Sequence, residues 1–89
     1  MQIYELAIIN PQGLHARACT MLAQIASRFR CNVSLVAKGR RVNARSIVAV
    51  MLLGASVGAT VRLEVDGPDE ALAMREIAAL FQDGFGERS

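Results

Sequence analysis

The stretch Asn32-Val33-Ser34-Leu35-Val36-Ala37-Lys38-Gly39-Arg40-Arg41-Val42-Asn43 sets the frame of the fold. Its first half alternates through Val33 and Leu35, the period-2 pattern of a strand with one buried face. Lys38-Gly39 reads as a tight turn, and Arg40 to Asn43 as a short third strand. Upstream, Ile3 to Ile8 predicts the first strand, with Tyr4, Leu6 and Ile8 on one side, and Asn10-Pro11-Gln12-Gly13 breaks it with turn residues. Between turn and hairpin, Ala16 to Phe29 places apolar residues at 18, 22, 25, 26 and 29, a helical stripe. The other side of that helix carries Arg17, Thr20, Met21, Gln24 and Arg28. Downstream, Ser46 opens the apolar run Ile47 to Leu53 and Gly54 closes it, as N-cap and C-cap of a short helix. Thr60 to Asp66 alternates through Val61, Leu63 and Val65, with Arg62 and Glu64 outward. Gly67-Pro68 ends that strand, and Asp69 caps a last helix with Ala73, Ile77, Leu80 and Phe81 inward. The order β-α-β-β-α-β-α, with helices that can all cover one face of a four-stranded sheet, gives a two-layer α+β fold.

The chain has 89 residues, 53% of them hydrophobic and 4% aromatic, with one His and no Trp. That length predicts a single domain over residues 1–89, with a core that needs neither metal nor disulfide. The apolar content excludes a disordered chain. Ile47 to Leu53, the longest apolar run, is far short of the ~20 residues that span a bilayer, so no membrane insertion is expected. No basic segment precedes an apolar stretch at the start, which predicts no signal peptide and a cytoplasmic location. Cys19 and Cys31 lack Cys-x-x-Cys spacing, and His15 with Cys19 makes too few ligands for zinc; no metal and no cofactor are expected. Residues 1–45 carry a net charge of +6 and residues 46–89 a net −4, a basic half suited to an acidic partner or a phosphate. Basic residues are not interleaved with aromatics, which argues against nucleic acid. The short second helix is apolar nearly all round. At two turns it cannot bury every side, so some of Ile47, Val48 and Met51 are expected at a partner surface.

One residue has clear chemical potential. His15 stands between the Gly13 turn and the first helix, and a neutral imidazole is nucleophilic near pH 7. A helix start offers unpaired N–H groups, here those of Ala16 and Arg17, and a positive dipole end to a phosphoryl group. The Arg17 guanidinium matches phosphate oxygens. Together these parts read as a phosphohistidine site. A surface histidine or a weak cap fits the same local residues. No carboxylate or second base stands nearby in sequence, so a hydrolase would lack its other members. Gly54 to Gly58 lacks the Lys-Ser/Thr of a phosphate-binding loop and reads as a turn.

Two segments in register carry a family resemblance. Gly13-Leu14-His15-Ala16-Arg17-Ala18 is similar to the signature of HPr, the histidine-containing phosphocarrier family of the bacterial phosphotransferase system. Val42-Asn43-Ala44-Arg45-Ser46-Ile47-Val48-Ala49-Val50-Met51 resembles its regulatory-serine region. The ending Leu80-Phe81-Gln82-Asp83-Gly84-Phe85 is similar to the nitrogen-regulatory branch, although the commoner signature has proline where this chain has Ala18.

The resemblance implies an open-faced β-sandwich, a four-stranded antiparallel sheet covered on one face by three helices. It implies a stoichiometric carrier, not an enzyme, that takes a phosphoryl group from phosphorylated enzyme I onto His15 Nδ1 and passes it to a histidine of an enzyme IIA protein. Phosphoenolpyruvate is the ultimate source. It places partner docking on Arg17, Thr20, Met21 and Gln24 of the first helix and on Ile47, Val48 and Met51 of the second. Ser46 is a helix cap and, where the family uses it, the target of HPr kinase/phosphorylase. A monomer is expected. A small α+β binding or regulatory module using the basic N-terminal half is the alternative.

Overall fold

The computed structural model describes residues 1–87. Four strands, β1 (Gln2–Ala7), β2 (Asn32–Ala37), β3 (Arg40–Asn43) and β4 (Thr60–Asp66), form one sheet in the order β1-β4-β2-β3 with every neighbour antiparallel. Leu63 of β4 lies opposite Tyr4 of β1 on one side and Leu35 of β2 on the other, and Leu35 lies opposite Val42 of β3. Side chains alternate across a strand, so this register sends Leu6, Val33, Leu35, Val61, Leu63 and Val65 to one face, where all are buried.

Three helices cover that face and supply the rest of the core. They are α1 (Ala16–Ala26), α2 (Ile47–Leu52) and α3 (Glu70–Gln82). Ala18, Cys19, Leu22 and Ala26 of α1 meet Val50 of α2 and Ala73, Met74, Ile77 and Phe81 of α3 in one cluster. The element order and the one-sided cover match the sequence expectation. No helix among the described residues is long and apolar enough to cross a membrane.

Four local details differ from the sequence reading, each for a physical reason. Tyr4 points to the helix side but is half exposed, because β1 is an edge strand and the ring has a neighbouring strand on one side only. The first helix ends at Ala26 and leaves Phe29 in a tightened turn, where Arg28 and Phe29 N–H donate to the carbonyls three residues back. The Arg45 guanidinium, from the β3–α2 connection, donates to the Ala26 and Phe29 carbonyls at 2.7 and 2.9 Å. A charged donor from elsewhere in the chain thus closes the helix end. Glu64 faces outward as alternation requires, yet it is only 7% exposed. Arg41 and Arg62 lie over it, each at 3.0 Å from its carboxylate. Asp69 holds the N-cap position of α3 without a side-chain cap bond; its carboxylate instead accepts the Arg30 N–H at 2.8 Å.

The turn that delivers the chain from β1 to α1 is the part of the fold that positions the site. Gly13 has φ +64, in the left-handed region that suits glycine. A Cβ there would stand 2.8 Å from both the Ala55 carbonyl oxygen and the Ser56 Cα. That close seating lets the Leu14 N–H donate to the Ala55 carbonyl at 3.0 Å and buries Leu14. The Gly54 to Gly58 segment therefore acts as the wall against which this turn docks. Gly13→Ala is expected to destabilise the protein by about 1–3 kcal/mol through backbone strain, with further cost from the clash. Urea denaturation of the two proteins measures the difference; equal midpoints would refute this account of the turn.

Candidate functional site

His15 is the N-cap residue of α1, with extended backbone and no side-chain cap bond. Helical hydrogen bonding starts with the Cys19 N–H donating to the His15 carbonyl at 3.0 Å. The N–H groups of Ala16 and Arg17 consequently have no acceptor within the helix and are free to meet an anion. Arg17 is exposed and makes no ion pair or hydrogen bond among the described residues, so its guanidinium is available to a ligand. The first turn thus offers free donors at the residue that follows His15 and the next.

The surprise lies on the other side of the imidazole. His15 Nε2 is 2.6 Å from Glu87 Oε2, a carboxylate 72 residues away that no sequence motif joins to it. The same Oε2 accepts from Asn10 Nδ2 at 2.8 Å, and Oε1 accepts from the Gln12 N–H at 3.2 Å. Asn10 Nδ2 also donates to the Gly13 carbonyl at 2.7 Å, so one buried amide ties the turn to the tail. Burial pushes the Glu87 carboxyl up, but hydrogen bonds from Asn10, His15 and the Gln12 N–H outweigh it and hold the group below its ordinary value. Near neutral pH Glu87 is an ionised acceptor, which assigns the bridging proton to His15 Nε2. In the neutral ring the lone pair then resides on Nδ1.

The geometry of the tail explains the aim of Glu87. Gly84, Phe85 and Gly86 have φ +63, +55 and +73, three left-handed residues in succession. Such a conformation is costly for Phe85. Its ring is buried and meets Phe81 edge-on at 4.9 Å between centroids, which offsets that cost. The hook closes with the Glu87 N–H donating to the Gly84 carbonyl at 3.0 Å.

Other reactive groups are disposed differently. Cys19 is fully buried, its thiol donates to the Leu14 carbonyl at 3.4 Å, and burial pushes it up to about 11, so it is no nucleophile near pH 7. No group of three or more metal-ligating side chains assembles among the described residues.

The expected docking residues divide by exposure. Gln24 is exposed, whereas Thr20 and Met21 are half-buried, and the Thr20 hydroxyl donates to the Ala16 carbonyl at 2.9 Å. On α2, Val48 is 66% and Met51 41% exposed, while Ile47 is half-buried against the core. Leu52, at 65%, is as open as Val48 and was not singled out by sequence. A run apolar on every side has no periodicity from which to choose its outer face. Ser46 is exposed, and its hydroxyl accepts the Ala49 N–H at 3.3 Å, the expected N-cap.

Comparison with known proteins establishes the family. Residues 4–83 match the family model described as PTS HPr component phosphorylation site. A phosphocarrier protein HPr of Xylella fastidiosa is 49% identical over 84 residues, covering 94% of each chain. The HPr of Cupriavidus necator is 49% identical over 83 residues, covering 93% of each. The crystal structure of an HPr from Thermoanaerobacter tengcongensis superposes with a TM-score of 0.95 at 36% identity, over 100% of both chains. An open sheet covered by three helices is thus shared with solved HPr structures, and the chain belongs to the HPr family of phosphocarrier proteins of the phosphotransferase system.

Proposed function

We propose that His15 carries the phosphoryl group on Nδ1, accepting it from phosphorylated enzyme I and passing it to a histidine of an enzyme IIA protein. The observation that carries this reading is the His15 ring itself: Nε2 is engaged by Glu87, so the nucleophilic lone pair is on Nδ1 at the start of α1. The Ala16 and Arg17 N–H groups and the Arg17 guanidinium stabilise the bound phosphoryl group, each offering a free donor to the anion. Shallow exposure suits a relay, because a group that must be handed on is better held by few contacts than by a closed pocket. The protein acts as a stoichiometric carrier and works as a cytoplasmic monomer, with the partners supplying the remaining catalytic groups. Arg41 and Arg45 are engaged within the fold, on Glu64 and on the end of α1, which removes two cations from the basic half that a nucleic-acid module would use.

Incubation with phosphoenolpyruvate and the cognate enzyme I is expected to give an acid-labile, base-stable label that His15→Ala abolishes. An active enzyme I that leaves the wild-type protein unlabelled would sink the reading.

Docking is assigned to Arg17, Thr20, Met21 and Gln24 of α1 together with Ile47, Val48 and Met51 of α2, and the exposure of Leu52 extends that apolar surface. A charge placed there must be desolvated in the complex. Met51→Glu is therefore expected to weaken enzyme I binding by about tenfold or more, equivalent to roughly 1.4 kcal/mol, without loss of fold. Calorimetric titration measures it, and full affinity would refute the placement.

Ser46 is assigned a second role as the substrate of HPr kinase/phosphorylase, with ATP as donor. Phosphorylation would add about −2 charge beside the apolar docking residues and oppose enzyme I binding. The expected result is acid-stable phosphate with a cognate kinase, absent in Ser46→Ala. An unmodified wild-type serine leaves only the capping function.

A further inference from the structure

Glu87 lies beyond residues 4–83, the span that the family model matches, and its side chain meets His15 Nε2 at 2.6 Å. Three groups of the turn into α1 converge on its carboxylate: the His15 ring, the buried Asn10 amide and the Gln12 backbone. The left-handed Gly84 to Gly86 hook, anchored by the buried Phe85 ring, brings it there. A solvated tail carboxylate needs none of this.

We infer that Glu87 is a positioning residue for phosphoryl transfer, holding the Nε2 proton of His15 so that Nδ1 is presented and the ring's charge stays balanced through the phosphorylated state. The inference rests on His15 being the carrier and deepens that reading. In the step it supports, the Nδ1 lone pair forms a bond to phosphorus while the donor's bond to phosphorus breaks, its electron pair returning to the donor. Nε2 keeps its proton, so the product ring is a phosphoimidazolium. The adjacent Glu87 carboxylate balances that positive charge, as the acidic member of a histidine–carboxylate pair does. On handover the P–N bond breaks with its electron pair returning to Nδ1, and the neutral imidazole is restored without any proton having moved. Without the carboxylate, the positive charge of the phosphorylated ring would have no anionic partner at Nε2. Asn10 braces the device: its amide joins the carboxylate to the Gly13 carbonyl, so tail and turn hold one geometry.

The test separates proton holding from phosphoryl chemistry. In the unphosphorylated protein, nitrogen-15-edited NMR is expected to show a downfield His15 Nε2–H resonance shielded from exchange with water. Glu87→Ala should abolish that resonance, whereas Glu87→Gln, whose amide oxygen still accepts, should retain it. The rate of label transfer from phosphorylated enzyme I should fall on the order of tenfold in Glu87→Ala. Glu87→Gln should be slowed as well, because it keeps the hydrogen bond and lacks the charge. An unchanged backbone amide spectrum in both variants confirms that the fold is intact. A Glu87→Ala protein with the resonance preserved, or with wild-type transfer rate, would overturn the inference. If the wild-type protein takes no label, the carrier reading fails, while the resonance still reports on the Glu87 contact.

Discussion

The pairing of the two interior strands, with Leu63 of β4 opposite Leu35 of β2, is the constraint from which the rest of the structure follows. A one-residue slip would turn Val61, Leu63 and Val65 to the uncovered face and leave the helices nothing to bury. With the register as it stands, Leu6, Val33, Leu35, Val61, Leu63 and Val65 face one way and all three helices must share that face. β1 then pairs along the free side of β4, with Leu6 opposite Val61. The chain leaves β1 beside the loop that follows α2, and the Ile8 N–H and carbonyl pair with Ala59 and Gly58 there. That is why the Gly13 turn meets Ala55 and Ser56, and why α1 begins where it does. The site is a consequence of the sheet register at one remove.

How much of this could be read from the sequence depends on the distance over which each feature is specified. Strand alternation and the α1 stripe are local periodicities, and they yielded every element in the right order. Ser46 and Gly54 bracket α2 by local capping chemistry. Glu64 shows the limit of a periodic argument: alternation placed it on the correct face, but its burial depends on guanidinium arms from Arg62 and from Arg41 on another strand. Tyr4 errs in the opposite direction, because a position on an edge strand is flanked by a neighbouring strand on one side only. Asp69 had two acceptors' worth of use, and the fold turned its carboxylate to Arg30.

The site divides in the same way. His15, Ala16 and Arg17 are consecutive, and their roles follow from being at a helix start. Glu87 and Asn10 are 77 residues apart, and nothing in the pattern of either neighbourhood joins them. One signal was present: glycines flank Phe85, and a buried aromatic between two residues tolerant of positive φ marks a sharp return of the chain. A hook at that place must send the following residue back over the body of the protein. The sequence carries the hook legibly; only the structure reveals what it reaches.

The resulting site has an uneven stability that suits its chemistry. The turn before α1 is locked by steric contact with Ala55 and Ser56 and cannot move without disturbing the core. The tail is held by one buried ring and a few hydrogen bonds, beyond the last regular element, where the free energy of local opening is lowest. His15 therefore sits between a rigid wall and a releasable clasp. The wall fixes where the His15 ring stands. On the role proposed for Glu87, the clasp would act on the charge of that ring. Separating these two tasks between different segments would let the proposed carrier accept and then donate without any rearrangement of the core.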